Sequence, residues 1–557
     1  MKALVTCEES KALDAATREI LALSSLQLME KASLRLWDAI KTCIASHAEI
    51  AAKGKAVKIV ALCGKGDNGG DAMAILRHAF SAGYKNLDAV ISARELSESA
   101  KKQVRSLAAA GLHPAAWKGA DDEGISSLLS EADIILDGIL GTGLSGAAAN
   151  EAKEMIDSIG SIQKTETGPL VISIDLPSGL GDGWEEGFPC VRADTTLCLE
   201  PAKTACYLPQ ARICCGEIVL VGDVFPESLV NLRRDITLIE ARDIAPDKIR
   251  AESYKMSRGR LAIFAGSRGA IGAAQLCAKA AAASGAGYVT LYVDDSAYAI
   301  LARSLDSIIV KPLGDLRDIS SNDAILVGPG WGNGEGRDVL LRQLLEAGLP
   351  TVLDADALRL LAARPELATS IRAPCALTPH PGELAVLARC ASAVRPAIPA
   401  ETSQAILAAN VKGEVKGLSE MRRTCEYFKS LLVAKSHVTW IVSPNRVAVW
   451  DGMTPELGTA GSGDVLAGIL AGLLAGKMAR SRKADSSKAL EEKSPWNALE
   501  DAAIIAVAAH GIAGRRMAEK KGWFEASDLI AECSLLLHSG SKHEEQSPPL
   551  TQPPFTR

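Results

Sequence analysis

Twice along this chain an apolar run ends in a glycine-rich turn, a helix-spaced stretch follows, and a second apolar run closes the unit. In the first series Val57 to Leu62 reads as a strand, Gly64-Lys-Gly-Asp-Asn-Gly-Gly-Asp71 as a loop, Ala72 to Ala82 as a helix and Leu87 to Ile91 as a strand. The second begins near Arg260: a strand at Leu261 to Ala265, the loop Gly266-Ser-Arg-Gly-Ala-Ile-Gly272, an alanine-rich helix from Ala273 to Ser284 and a strand at Tyr288 to Val293. Strand, helix and strand in that order make a βαβ unit, which predicts a parallel sheet. At 557 residues the chain is too long for one ordinary core, so two α/β domains are expected. The boundary falls between Pro226 and Pro246, dividing the chain into 1–235 and 236–540, and the polar tail 541–557 is expected to be disordered.

Other runs extend each series. Apolar residues at helical spacing over residues 11 to 48 open the chain with helices. The strands Asp133 to Leu136 and Leu170 to Ile174 lead into Asp137-Gly-Ile-Leu-Gly-Thr-Gly-Leu-Ser-Gly146 and Asp175-Leu-Pro-Ser-Gly179. In the second half, strands at Ala324 to Val327, Thr351 to Leu353, Cys375 to Leu377 and Leu431 to Ala434 each end in a polar or Gly/Pro turn. Val438 to Val442 and Arg446 to Trp450 read as a hairpin. Lys477 to Ser494 reads as a solvated insertion between helices. In a doubly wound sheet the ligand sits outside the carboxyl ends of the strands, where these turns gather.

Composition narrows the chemistry. A net charge of −6 and a pI near 5.9 argue against bulk nucleic-acid binding, which wants a basic face. The 13 cysteines include no C-x-x-C pair, and the run Cys190, Cys198, Cys206, Cys214 has no metal-ligand spacing, so reduced thiols in a cytoplasmic protein are expected. The charged N-terminus has no apolar signal core. Val465 to Gly476 is the nearest approach to a membrane span and is short and glycine-rich, so no membrane partner is expected.

The stretch Gly458-Thr-Ala-Gly-Ser-Gly-Asp-Val-Leu-Ala-Gly468 enters that apolar helix. Free backbone N–H groups and the positive end of the macrodipole suit a phosphate there. Asp464 either favours the first helical turn or takes a proton from the group that attacks phosphorus. Gly461-Ser-Gly-Asp464 resembles the anion hole and base of ribokinase-like enzymes. The fuller string is similar to one branch of them, the ADP- or ATP-dependent NAD(P)H-hydrate dehydratases. That family's other motifs are met by Gly266 to Ala274, Gly328-Pro-Gly330, Asp354-Ala-Asp-Ala-Leu358 and Thr378-Pro-His-Pro-Gly-Glu383.

The resemblance implies a ribokinase-like α/β/α sandwich that takes ADP as co-substrate, with Mg2+ admissible beside it. Asp464 would be the base, and Gly463 would contact the nucleotide phosphate. Ala273, Gly330 and His380 would line the site of the hydrated nicotinamide, although a histidine such as His380 can equally be structural. Lys435, Ser436, His437, Val438 and Thr439 would follow the adenine nucleotide, with Ser436 standing where the family has glycine.

In the first half, Gly64-x-Gly66-x-x-Gly69 matches a dinucleotide fingerprint only weakly, because Leu87 to Ile91 ends in Ser92-Ala-Arg94 and not in an acidic residue. Asn68, Asp137 and Ser178 could share one hard cation or could each cap a turn. These loops, with Leu28-Met29-Glu30, resemble the NAD(P)H-hydrate epimerase domain, which implies a Rossmann-like doubly wound sheet. Carried over, the resemblance assigns Asn68, Asp137 and Ser178 to potassium. It sets Asp67, Asn68, Gly69, Gly70 and Asp71, together with Gly141, Thr142, Gly143, Leu144, Ser145, Gly146 and Ala147, around the hydrated nucleotide. Asp175 would face the reacting carbon, with Lys203 as its polar partner, and Asp67 replaces an asparagine.

The expected function is therefore repair of hydrated NADH and NADPH, by interconversion of their R and S forms and ADP-dependent dehydration of the S form with release of AMP and phosphate. ADP is the family's habit in chains of this length, and nothing in the residues excludes ATP. A ribokinase-like kinase for a small vitamin precursor and a nucleotide-sensing scaffold are the alternatives. The expected partners are the hydrated nucleotides, ADP and further copies of the chain.

Overall fold

The computed structural model describes residues 1–163, 168–230, 235–246, 249, 251–393, 416–483 and 494–539. Ala3–Ile236 form one compact unit, and most described residues from Thr237 onward form the other. The tail 541–557 and most of the expected insertion lie outside the described residues.

The first unit is built on a seven-stranded sheet in the order Ala115–Ala116, Leu87–Ile91, Ile59–Cys63, Ile134–Gly138, Leu170–Ile174, Thr195–Leu199, Glu217–Val221. All its neighbours are parallel. Alternate residues of one strand feed two cores. Ile59, Ala61 and Cys63 join the helices Ser25–Ser46 and Asp67–Ser81, while Val60 and Leu62 join the helices Glu123–Ser130 and Asn150–Ile162. A strand buried on both faces needs apolar residues at every position, which explains the unbroken runs in the sequence. The strand order reverses between Ile59–Cys63 and Ile134–Gly138, so a crevice opens there at the carboxyl ends.

Several boundaries differ from expectation. A strand, Lys2–Val5, precedes the first helices and pairs in parallel with Ala202–Lys203 through Leu4 and Val5. The helix expected from Ala72 starts at Asp67, so Asp67 to Asp71 form its first turn and only Gly64 to Gly66 remain loop. Asp137 belongs to the strand itself.

In the second unit the strands run Ile309–Pro312, Tyr288–Val293, Arg260–Phe264, Ala324–Val327, Thr351–Leu353, Cys375–Leu377, Leu431–Ala434, Val438–Val442, Val447–Asp451. Pairing is parallel as far as Leu431–Ala434 and antiparallel through the final hairpin. Leu261 and Ile263 face the helices Ile271–Ala283, Ser462–Lys483 and Pro495–Lys521 in one core. Ala262 and Phe264, pointing the other way, are equally buried, as are Leu341 and Leu358 of the helices Arg337–Glu346 and Ala355–Ala363. These are the layers of the expected α/β/α sandwich.

The expected helix Val465 to Gly476 runs over Ser462–Lys483 and takes in the start of what reads as a solvated insertion. By length and hydropathy its stretch Ser462–Arg482 could cross a membrane, but 78% of that window is buried inside the protein, which makes it a core helix. Its glycines have a packing cause. A Cβ at Gly468 would collide with the Cys277 carbonyl, and one at Gly472 with Ser284 and Ala281, so the two helix backbones cross where only hydrogen fits.

Candidate active sites

In the first unit the strand ends bring Asn68, Asp137 and Ser178 together. Asp137 is fully buried. Its Oδ2 accepts from Ser173 Oγ at 2.7 Å and Ser178 N at 2.8 Å, and its Oδ1 accepts from the Ser178 hydroxyl and, at 3.3 Å, from Ile139 N. Asn68 Nδ2 donates to the Leu140 carbonyl at 2.8 Å, and Leu140 N donates to Ser178 Oγ at 2.8 Å. Burial pushes the Asp137 carboxyl above its usual range, against the pull of the two serines. Ser173 carried no expectation, since a serine within an apolar strand has no motif to mark it.

Asp175 stands at φ +68°, in the left-handed region that an aspartate tolerates and most residues avoid. That turn aims its carboxylate back across the sheet end. Oδ1 accepts from Lys203 Nζ and, at 3.1 Å, from Leu199 N. Lys203 is 1% exposed and also donates to Leu199 O at 3.0 Å. Burial is the largest single influence and pulls its pKa down, but the charge and hydrogen bond of Asp175 together with the neighbouring Cys198 and Cys206 outweigh it and hold the ammonium above its ordinary value.

Gly69 and Gly70 pack tightly in the first turn of the helix Asp67–Ser81. A Cβ at Gly69 would meet the Gly64 carbonyl, and one at Gly70 would meet Met29. Met29 of Leu28-Met29-Glu30 is thus a packing partner of the glycine turn. Asp67 is tied by the hydroxyls of Ser97, at 3.2 Å, and Ser99, so the departure from asparagine carries its own local partners. Gly141 packs on Asn68, whereas Gly143, Ser145, Gly146 and Ala147 are exposed, with Thr142 and Leu144 half-buried.

In the second unit Asp464 lies in the first turn of the helix Ser462–Lys483, half-buried. Burial, with the charges of Asp354 and Asp356 against the opposing pull of Lys435, raises its pKa to about 6. Lys435 Nζ pairs with Asp354 Oδ1 at 2.8 Å, and Thr378 Oγ1 donates to the same oxygen at 2.8 Å. A Cβ at Gly463 would lie 3.1 Å from Lys435 Nζ, so the helix start and this ammonium are neighbours. Gly330, at φ +55°, packs on Ala270 and Ala273, which joins the loops after Arg260–Phe264 and Ala324–Val327.

His380 caps the helix Pro381–Ala393: its Nδ1 accepts from Gly382 N at 3.0 Å, and its Nε2 lies 3.4 Å from Glu383 Oε1. The ring is 54% exposed, so the cap holds an accessible imidazole. Thr439 Oγ1 donates to the Ser436 carbonyl at 3.1 Å and closes the turn after Lys435. Ser436 Oγ lies 3.1 Å from His437 Nδ1, and Val438 is buried.

One contributor went unforeseen. His510, on the helix Pro495–Lys521, is buried and held neutral, its pKa pushed down to about 4 chiefly by desolvation. Its Nε2 lies 3.0 Å from Ser462 Oγ and 3.1 Å from Ser462 O, which pins the residue between Gly461 and Gly463. A single histidine in an apolar helix carries no spacing signal that could have revealed this.

A two-site α/β architecture results, with carboxylates at strand ends in one unit and a carboxylate beside a glycine-rich helix start in the other. Residues 25–205 match the model of the YjeF-related protein N-terminus, and residues 261–534 match that of NAD(P)H-hydrate dehydratase. Among curated relatives, the bifunctional NAD(P)H-hydrate repair enzyme of Gloeobacter violaceus is 31% identical over 463 residues, covering 79% of this chain and 83% of the relative. Its namesake in Salinibacter ruber is 30% identical over 506 residues, with 84% and 86% covered, and that of Coxiella burnetii is 28% identical over 495, with 87% and 91%. The chain belongs to the family of bifunctional NAD(P)H-hydrate repair enzymes.

Proposed function

We propose that the unit of residues 1–235 interconverts the R and S hydrates of NADH and NADPH, and that residues 236–540 dehydrate the S form with ADP, releasing AMP and phosphate. The observation that carries the reading is Asp464: a carboxylate with a pKa near neutrality, beside backbone amides that suit a phosphate and next to a buried ion pair. The hydroxyl of the hydrated ring is a poor leaving group. Asp464 takes its proton as oxygen attacks the terminal phosphorus of ADP, and the amides of Gly461 to Gly463 hold the charge that develops on the transferring group. Elimination of orthophosphate then restores the reduced ring.

Lys435 and the turn Ser436 to Thr439 follow the nucleotide, and His380 with Ala273 and Gly330 border the nicotinamide side. Mg2+ is a suitable companion for the ADP phosphates. In the first unit Asp175 faces the reacting carbon with Lys203 behind it. The backbone of Asp67 to Asp71 and the exposed loop Gly141 to Ala147 surround the nucleotide.

Asn68 and Ser178 both bond the Leu140 carbonyl and Ser178 also bonds Asp137, an oxygen-rich set that fits a hard monovalent cation such as potassium. A cation there would balance the buried Asp137 charge and fix the turns that carry Ser178 and Gly141. An epimerisation rate unchanged in potassium-free buffer would return these residues to a purely turn-fixing role. The free thiols support work in a reducing compartment, the cytoplasm.

The decisive measurement is incubation of the protein with chemically hydrated NADH and ADP, following the return of the reduced-nicotinamide absorbance. Production of a stable phosphorylated hydrate with no such return would favour a simple kinase. Separating the chain within residues 226–246 should leave a second half that consumes only the S form in a freshly mixed pool.

A further inference from the structure

Asp71 is the one acidic side chain around the first site whose setting is unaccounted for. It sits at the end of the first turn of the helix Asp67–Ser81, and its Oδ1 is buried with no hydrogen-bond partner among the described residues. An unpartnered buried carboxyl oxygen is costly, and a site that retains one has a use for it or a ligand that satisfies it. The charged groups that act on it are Asp175 at the strand end, Asp67 on its own helix and Asp14 on the helix Cys7–Ile20, all of them carboxylates. From the other packed helices come Met29, with Glu30 paired to Arg77 further along, and Gln103, whose amide donates to Met29 Sδ. Among the described residues no cation is among the charges that act on Asp71, in contrast to Asp175, which has Lys203. Burial, reinforced by Asp175, Asp67 and Asp14, therefore holds the Asp71 carboxyl well above the ordinary range, while Lys203 binds the Asp175 carboxylate.

A buried carboxyl group without a hydrogen-bond partner for one oxygen, together with a carboxylate paired to a lysine, is an arrangement that can supply an acid and a base. We infer that Asp71 is a catalytic acid of the epimerase site, working with Asp175 as the base on the hydroxyl-bearing carbon of the hydrated nicotinamide. The inference rests on the epimerase reading of this unit and names the proton donor that reading lacks.

The chemistry follows from the substrate. Water adds to the enamine of a reduced nicotinamide at the carbon bonded to the ring nitrogen, so the stereocentre carries both a hydroxyl and that nitrogen. Asp71 gives its proton to the hydroxyl as the C–O bond breaks with its electrons going to oxygen. The nitrogen lone pair forms a C=N bond and water leaves. Water then adds to the opposite face, the C=N electrons return to nitrogen, and the proton shed by the incoming water goes to Asp175. One turnover moves one proton from Asp71 to Asp175, solvent exchange resets the pair, and the reverse epimerisation uses the same groups with their roles exchanged.

The test uses the full chain, a single hydrate epimer of NADPH and no ADP, so that the dehydratase is silent. Wild-type protein that fails to accelerate loss of the pure epimer would sink the epimerase reading itself. Given an active wild type, Asp71→Asn should lower kcat about 10² to 10⁴-fold with KM little changed, and the fall of wild-type kcat at high pH should disappear. The same variant should keep the wild-type circular dichroism and a cooperative melting transition for the first unit, which reports that the unit carrying residue 71 is folded. Asp71→Glu, which keeps a carboxyl group, should recover part of the rate and displace the alkaline limb. An Asp71→Asn rate within threefold of wild type, a lowered rate with the alkaline limb unmoved, or an Asp71→Glu no better than Asp71→Asn would each overturn the assignment.

Discussion

Each unit contains a largely buried lysine–aspartate pair at a strand end, and the two pairs are placed differently. In the first, Lys203 binds Asp175, the carboxylate proposed to face the reacting carbon. In the second, Lys435 binds Asp354, and Asp464 is left beside that pair with a pKa of about 6. A lysine bound directly to the proposed working carboxylate gives it a counter-charge and holds it in place. A lysine that grips the adjacent one leaves the working group poised to exchange a proton near neutrality. The difference suits a first site whose proposed base is held in position by its partner and a second whose proposed base exchanges its proton near neutrality.

The contrast breaks most sharply at Asp464. Asp464→Asn should reduce ADP-dependent dehydration about 10² to 10⁴-fold with ADP affinity and epimerisation unchanged. A variant that binds ADP normally and dehydrates within tenfold of wild type would reduce Asp464 to a residue of the first helical turn. Lys203→Met should cost about 3–5 kcal/mol of stability in the first unit, because it leaves Asp175 partly buried and unpaired, and should abolish epimerisation. Chemical denaturation of the separated first half measures this. A transition that hardly moves would show that Asp175 is solvated well enough without its partner.

A core test comes next. Gly468→Ala forces a Cβ onto the Cys277 carbonyl and should destabilise the second unit by about 1–3 kcal/mol while epimerisation continues unchanged. The smallest effect concerns pH. The folded pKa of Asp464 is raised above its unfolded value near 3.8, so the group adds no penalty below that value and destabilises the fold progressively as pH rises through about 6. Asp464→Asn should therefore melt higher than wild type at pH 8 and equally at pH 4. Equal melting at both values would mean that Asp464 is not desolvated in the folded protein.

Much of the architecture was readable because its causes are local. Glycines at Gly64, Gly69, Gly328 and Gly330 mark turns where backbone approaches backbone, and strands buried on both faces print as apolar runs. Asp464 and Asp175 stand out in the sequence because a carboxylate beside a glycine turn is out of place unless it is used. The short strand Lys2–Val5 was not, since four residues carry too little periodicity and its partner, Ala202–Lys203, lies far along the chain. His510 and Ser173 were hidden for a related reason: each is one polar residue in an apolar element, with its partner chosen by packing. The glycine-rich loop of the first unit also looked longer than it is, because Asp67 and Asn68 start a helix whose turn the glycines Gly69 and Gly70 continue.

That pairing of Leu4 and Val5 with Ala202 and Lys203 has a practical consequence for handling the protein. The backbone that presents the Lys203 ammonium is clamped by residues only a few positions from the amino end. Limited proteolysis that trims those residues should therefore silence the epimerase, and an affinity tag placed there should be chosen so that it leaves the clamp intact.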